Sequence, residues 1–193
     1  ATEISKRFVD ETYEWLKPYI DKPLIIQRDN EQISVFEEEW EGKGITVQDL
    51  INLFRSYPEN IRTYFSDKFT EIPISNIETT INKTEILRKK DPHNAEEFGH
   101  ELYEKTIDDL KQIEKVLGCS NIQYQMLAGK LAGEILQCAI EFYNEFINDD
   151  EFDPGEEALR LCVLAKSIGA TGQNDKRIDE NTEVIQEWVD RKS

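Results

Sequence analysis

Between residues 121 and 148 the chain places Leu127, Leu131, Ile135, Cys138, Phe142 and Phe146 at steps of three and four. That spacing returns an apolar side chain to the same side of a 3.6-residue turn, and strand alternation does not fit it. It predicts one long helix whose apolar stripe must be covered along its whole length. Ala128 and Ala132, beside Gly129 and Gly133, put small residues next to the stripe, where two helix backbones can approach closely. Lys130 and Glu134 interrupt the run, so it is not the roughly 20-residue apolar span that a membrane crossing needs.

Other segments repeat the pattern. Ala95 to Leu117 carries Phe98, Leu102, Ile107, Leu110, Ile113 and Leu117, then Gly118 as a C-terminal cap. Residues 156–168 present Ala158, Leu161, Cys162, Ala165 and Ile168, and residues 175–189 present Ile178, Ile185, Trp188 and Val189. The short loops between them predict antiparallel helical hairpins. The first half is less regular. Ile4, Phe8, Thr12, Trp15 and Tyr19 mark a helix from about residue 2 to Pro18. Leu24-Ile25-Ile26, a turn at Arg28-Asp29-Asn30, and Gln32 to Phe36 predict a small β-hairpin. Helices are expected after Thr46, after Pro58 with Ile61, Tyr64, Phe65 and Phe69 inward, and after the Ser75-Asn76-Ile77-Glu78 capping box. Asp91-Pro92 breaks the chain and is the expected boundary between an N-terminal α+β/helical subdomain, 1–90, and a helical-hairpin subdomain, 91–193.

The balance of 23 Lys and Arg against 40 Asp and Glu gives a formal charge of -17 over 193 residues. Phosphates repel such a surface, which argues against duplex DNA or an anionic membrane as partner. The charge does not imply disorder, because 38% of residues are apolar and 10% aromatic, enough for a core. No basic-then-apolar leader opens the sequence. Cys119, Cys138 and Cys162 are odd in number and widely spaced, as expected of reduced thiols in a cytoplasmic protein. The sequon Asn82-Lys83-Thr84 has no second secretory signal beside it.

Recognisable chemistry is sparse. His93 and His100 are the only histidines. His100 stands near Glu96, Glu97 and Glu104 on one helix, so residues four apart could share a metal, but HExxH is absent and a third ligand would have to come from elsewhere. Cys119 follows a helix end, without a histidine in evident reach to activate it. Asp149 to Gly155 resembles a calcium loop, yet counting from Asp149 puts Pro154 and Arg160 where an EF-hand needs Gly and Glu. Glu37-Glu38-Glu39-Trp40-Glu41 is dense negative charge around an aromatic: a solvated loop, a dock for a basic partner, or a carboxylate pair for acid–base chemistry. Gly42-Lys43-Gly44 and Gly169-Ala170-Thr171-Gly172 lack P-loop spacing, and no Gly-x-Ser-x-Gly elbow occurs.

Several stretches carry a family likeness: Asp91-Pro92-His93-Asn94-Ala95, Gly99 to Glu104, Leu117 to Gln125, Lys130 to Ile135 with Phe142-Tyr143-Asn144, Ala158 to Leu161, and Arg177 to Asn181 with Trp188. Together they resemble a tetratricopeptide-like (TPR-like) helical region of poorly characterised multidomain bacterial proteins. The chain departs from a repeat of about 34 residues in its long helix at 121–148 and in lacking the Trp…Leu-Gly…Tyr pattern. The resemblance implies stacked helical hairpins and partner binding but no defined ligand, and no catalytic residue transfers with it; no cofactor and no metal is expected. The expected fold is therefore mainly α, with irregular TPR-like antiparallel hairpins and a small β-hairpin. The expected function is a non-enzymatic scaffold in a bacterial cytoplasmic protein that docks a protein or peptide, favouring a basic one. The alternative is an acidic inhibitor or immunity-type protein that mimics phosphate. An enzyme would need a pocket joining His100, Cys119 or the Glu37–Glu41 segment.

Overall fold

The computed structural model describes residues 3–16, 52, 55–149 and 152–192. The expected β-hairpin, the helix after Thr46 and the Glu37–Glu41 segment lie outside them. The described chain is mainly helical, with no strand among the described residues: α1 (Glu3–Leu16), α2 (Glu59–Lys90), a 3-10 turn (Pro92–Asn94), α3 (Ala95–Leu117), α4 (Ile122–Phe146), α5 (Gly155–Ser167) and α6 (Gln173–Lys192). Two compact units form, Ala1–Glu71 and Ile72–Ser193.

In the first unit Val9 and Tyr13 are buried among the described side chains of α1, while Phe8, expected inward, is 46% exposed. Tyr13 meets Phe69 edge-on at 4.7 Å between ring centroids, and Phe69 lies 4.4 Å from Phe65. Edge-to-face rings gain from the opposed charge of ring edge and face. Asp10 accepts a hydrogen bond from the Tyr64 hydroxyl at 2.9 Å and pairs with Lys68 at 3.5 Å.

The helix that carries these residues corrects the reading of 58–90. One helix was split into two by local signals, since α2 runs unbroken from Glu59 to Lys90 through Pro73 and the Ser75–Glu78 box. Pro73 lacks the N–H that would reach the Phe69 carbonyl. The buried face nevertheless continues past it, through Ile61, Phe65, Phe69, Pro73, Ile77, Thr84 and Arg88. This stripe of mostly four-residue steps outweighs one lost hydrogen bond and a capping motif that has no free N–H groups to cap. Asp91-Pro92 ends α2 and opens the 3-10 turn within the second unit.

In that unit α4 is central. Twelve of its 25 residues are buried, more than a single apolar stripe supplies, and it packs against α3, α5 and α6. Asn121 starts it by accepting from the backbone N–H of Gln123 and Tyr124, as an N-cap side chain does. Gly118 closes α3 at φ +84°, donating its N–H to the Glu114 carbonyl at 2.7 Å. Close approach, more than conformational freedom, explains Gly99: a Cβ there would stand 2.9 Å from Leu161 Cδ2 and 3.0 Å from Cys138 Cβ. The absence of that carbon lets α3, α4 and α5 meet at one level. Gly129 similarly faces the Asn174 amide, whereas Gly133 meets nothing within 4 Å, so only one of the two glycines in α4 serves packing. Every apolar residue expected inward on α5 is buried, and Tyr143 meets Trp188 of α6 edge-on at 5.5 Å. Among the described residues no helix is long and apolar enough to cross a membrane.

Candidate functional site

The periodicity that buries Leu161, Cys162 and Ala165 leaves the next face of α5 to solvent. Val163 is 63% exposed there. It lines an open groove of about 350 Å³ with Cys162, Lys166, Ser167, Asp179 and Thr182, between α5 and α6. The groove lies within the size range of sites that hold small ligands or peptide side chains. Its rim is ordered by one cation between two carboxylates: Lys166 Nζ donates to Asp175 Oδ1 at 2.7 Å and to Asp179 Oδ1 at 2.6 Å. Those bonds and charges raise the Lys166 ammonium above its ordinary pKa. Two carboxylates against one ammonium leave a net negative charge at the rim. Burial raises the Cys162 thiol, with a hydrogen bond to Thr182 acting the other way, and the side chain packs within the core.

The other residues singled out by sequence are scattered. His93 pairs with Glu145 at 3.3 Å and lies edge-on to Phe146. His100 Nε2 lies 3.2 Å from Glu96 Oε1. The third group for that pair comes from α5: ligand atoms of Glu96, His100 and Glu157 lie within 4.8 Å of one another, all three residues half-buried. Glu97 and Glu104, weighed with them, are exposed and stand outside this set. Cys119 is exposed, and Cys138 and Cys162 are buried. Burial pushes the Cys138 thiol up to about 12, and nearby Glu134 adds to it. In the Asp149–Gly155 segment, Asp153 Oδ1 accepts from the Gly155 N–H at 2.9 Å and Phe152 packs on Phe142 and Phe146. That carboxylate satisfies the N–H of the first residue of α5, ahead of Pro154 at its N-cap. Within the sequon, Asn82 is exposed in mid-helix and Thr84 is buried.

One charged cluster escaped the sequence reading. Arg88, 5% exposed, donates through Nε to Glu134 Oε1 at 2.8 Å and through Nη1 to Glu141. Burial lifts the Glu134 carboxyl above its ordinary value, with the Arg88 hydrogen bond and charge pulling it down. The same burial works against the Arg88 cation, yet Glu134 and Glu141 together hold it above its ordinary value. The available signal was Arg88 falling on the stripe of Ile77 and Thr84, opposite two glutamates seven residues apart on an apolar helix. The geometry crosslinks α2 to α4.

No protein-family model matches the sequence, and no curated protein or solved structure matches it either.

Proposed function

We propose that this chain is a non-enzymatic helical interaction module, and that the α5–α6 groove docks a basic segment of a protein partner. The observation that carries the reading is the pairing of exposed Val163 with the acidic rim formed by Asp175 and Asp179 around Lys166. An apolar anchor supplies area and the rim supplies sign. The chain's formal charge of -17 favours the same class of partner by drawing it in at long range. Irregular TPR-like stacking of α3 to α6 belongs to this reading, because helical hairpins laid side by side leave such grooves. So does a place in a bacterial cytoplasmic protein, where Cys119, Cys138 and Cys162 stay reduced.

The test is affinity capture from the source cell with the wild-type chain and a Val163→Gln variant, each at low and high salt. The reading expects a basic protein that the wild type retains at low salt, sheds at high salt, and that the variant captures several-fold less. Equal capture by both chains, or no basic protein in either, would overturn it.

A further inference from the structure

Glu96 and His100 occupy successive turns of α3, and Glu157 faces them from the first turns of α5. The close approach at Gly99, the residue before His100, brings the two helices to this level: Leu161, one turn beyond Glu157, fills the space a Cβ would take. We infer that Glu96, His100 and Glu157 form a binding site for one divalent transition-metal ion of the zinc type. One imidazole nitrogen and two carboxylate oxygens are a donor set that such ions accept. At bond lengths of about 2.1 Å, tetrahedral ligands stand about 3.4 Å apart. The His100–Glu96 pair is at 3.2 Å, and the full set lies within 4.8 Å. Rotation of the Glu157 side chain closes the remainder. Three protein ligands leave a position for water or for a group from outside the chain.

One competitor is built in. Arg160 Nη1 donates to Glu157 Oε1 at 2.5 Å, and its Nη2 lies 3.8 Å from Glu156. Arg160 is largely exposed, so the guanidinium can leave when an ion arrives, but its charge opposes binding.

Calorimetric titration of Zn2+ into the full chain carrying Cys119→Ser, which removes the exposed thiol, tests the site. The site predicts one ion per chain. His100→Gln and Glu157→Gln each weaken binding by about ten-fold or more, with helicity by circular dichroism unchanged. His93→Gln leaves the affinity unchanged, and Arg160→Ala tightens it several-fold because the competing cation is gone. If a ligand variant loses helicity, the Arg160→Ala arm decides: tighter binding supports the site and unchanged affinity overturns it. No saturable binding below about 100 µM, or affinity in folded His100→Gln and Glu157→Gln equal to that of the parent chain, overturns it as well.

Discussion

At the scale of single residues, Arg88 has the largest expected effect on stability. Replacing it by Met leaves Glu134 and Glu141 on a largely buried face without their cation, which costs about 3–5 kcal/mol when one partner of a buried pair is removed. Urea unfolding measures it. The pH dependence has a definite sign. Burial already holds the Glu134 carboxyl above its ordinary value, and Arg88 is what pulls it down. Without Arg88 it titrates higher still. A folded-state pKa above the unfolded value gives stability that is complete below the unfolded pKa and is lost as pH rises through the folded one. Arg88→Met therefore falls further behind the wild type as pH climbs from about 4 toward 7, and partly recovers in acid. The thiols give a second residue-scale prediction. Of the three cysteines, Cys119 alone is exposed and Cys138 is held near pKa 12. Under native conditions a thiol reagent at neutral pH should modify one cysteine per chain, and all three after denaturation. Fast native labelling of more than one would contradict the burial of α4 and α5.

At the scale of elements, the helices of the second unit were legible because their stripes are strong and their ends are marked. Gly118 and Asn121 bracket one loop, and the face of α5 read from Ala158 to Ile168 is the face that is buried. Reading failed where a local signal competed with a distant one. Pro73 and the Ser75–Glu78 box both signal a helix start. What carries α2 through them is burial of Ile77 in the core of the second unit and of Arg88 against glutamates 46 and 53 residues away, and a local window contains no trace of those glutamates. The metal-type set was half legible: Glu96 and His100 are four apart, but Glu157 meets them only through packing of α5 on α3. Two substitutions test the packing. Gly99→Val forces side-chain carbon into the space held by Leu161 and Cys138 and should cost about 1–3 kcal/mol. Asn121→Ala removes the cap from α4 and should cost about 0.5–2 kcal/mol. Both are read by chemical denaturation, and a neutral Gly99→Val would contradict the close approach of the three helices.

At the scale of the whole molecule, charge meets the core mainly at Arg88 and its two glutamates. Among the described residues, the fully buried polar or charged side chains are Thr70, Thr84, Thr106 and Arg88, and the acids that reach inward, Glu134 and Glu141, are the ones paired with Arg88. Most of the other acids on the described helices stand at least partly exposed, toward solvent and whatever approaches. That is why net charge could be read from composition while its functional place could not: the groove depends on α5 and α6 lying side by side, with Lys166 pinning Asp175 and Asp179 across the gap. The measurement closest to this claim is cross-linking of the captured complex with an amine-reactive reagent, followed by mass spectrometry. Docking in the groove predicts that the partner's lysines link mainly to Lys166, which lines it. Links confined to Lys105, Lys111 or Lys130 on α3 and α4, with Lys166 unmodified by the partner, would contradict it.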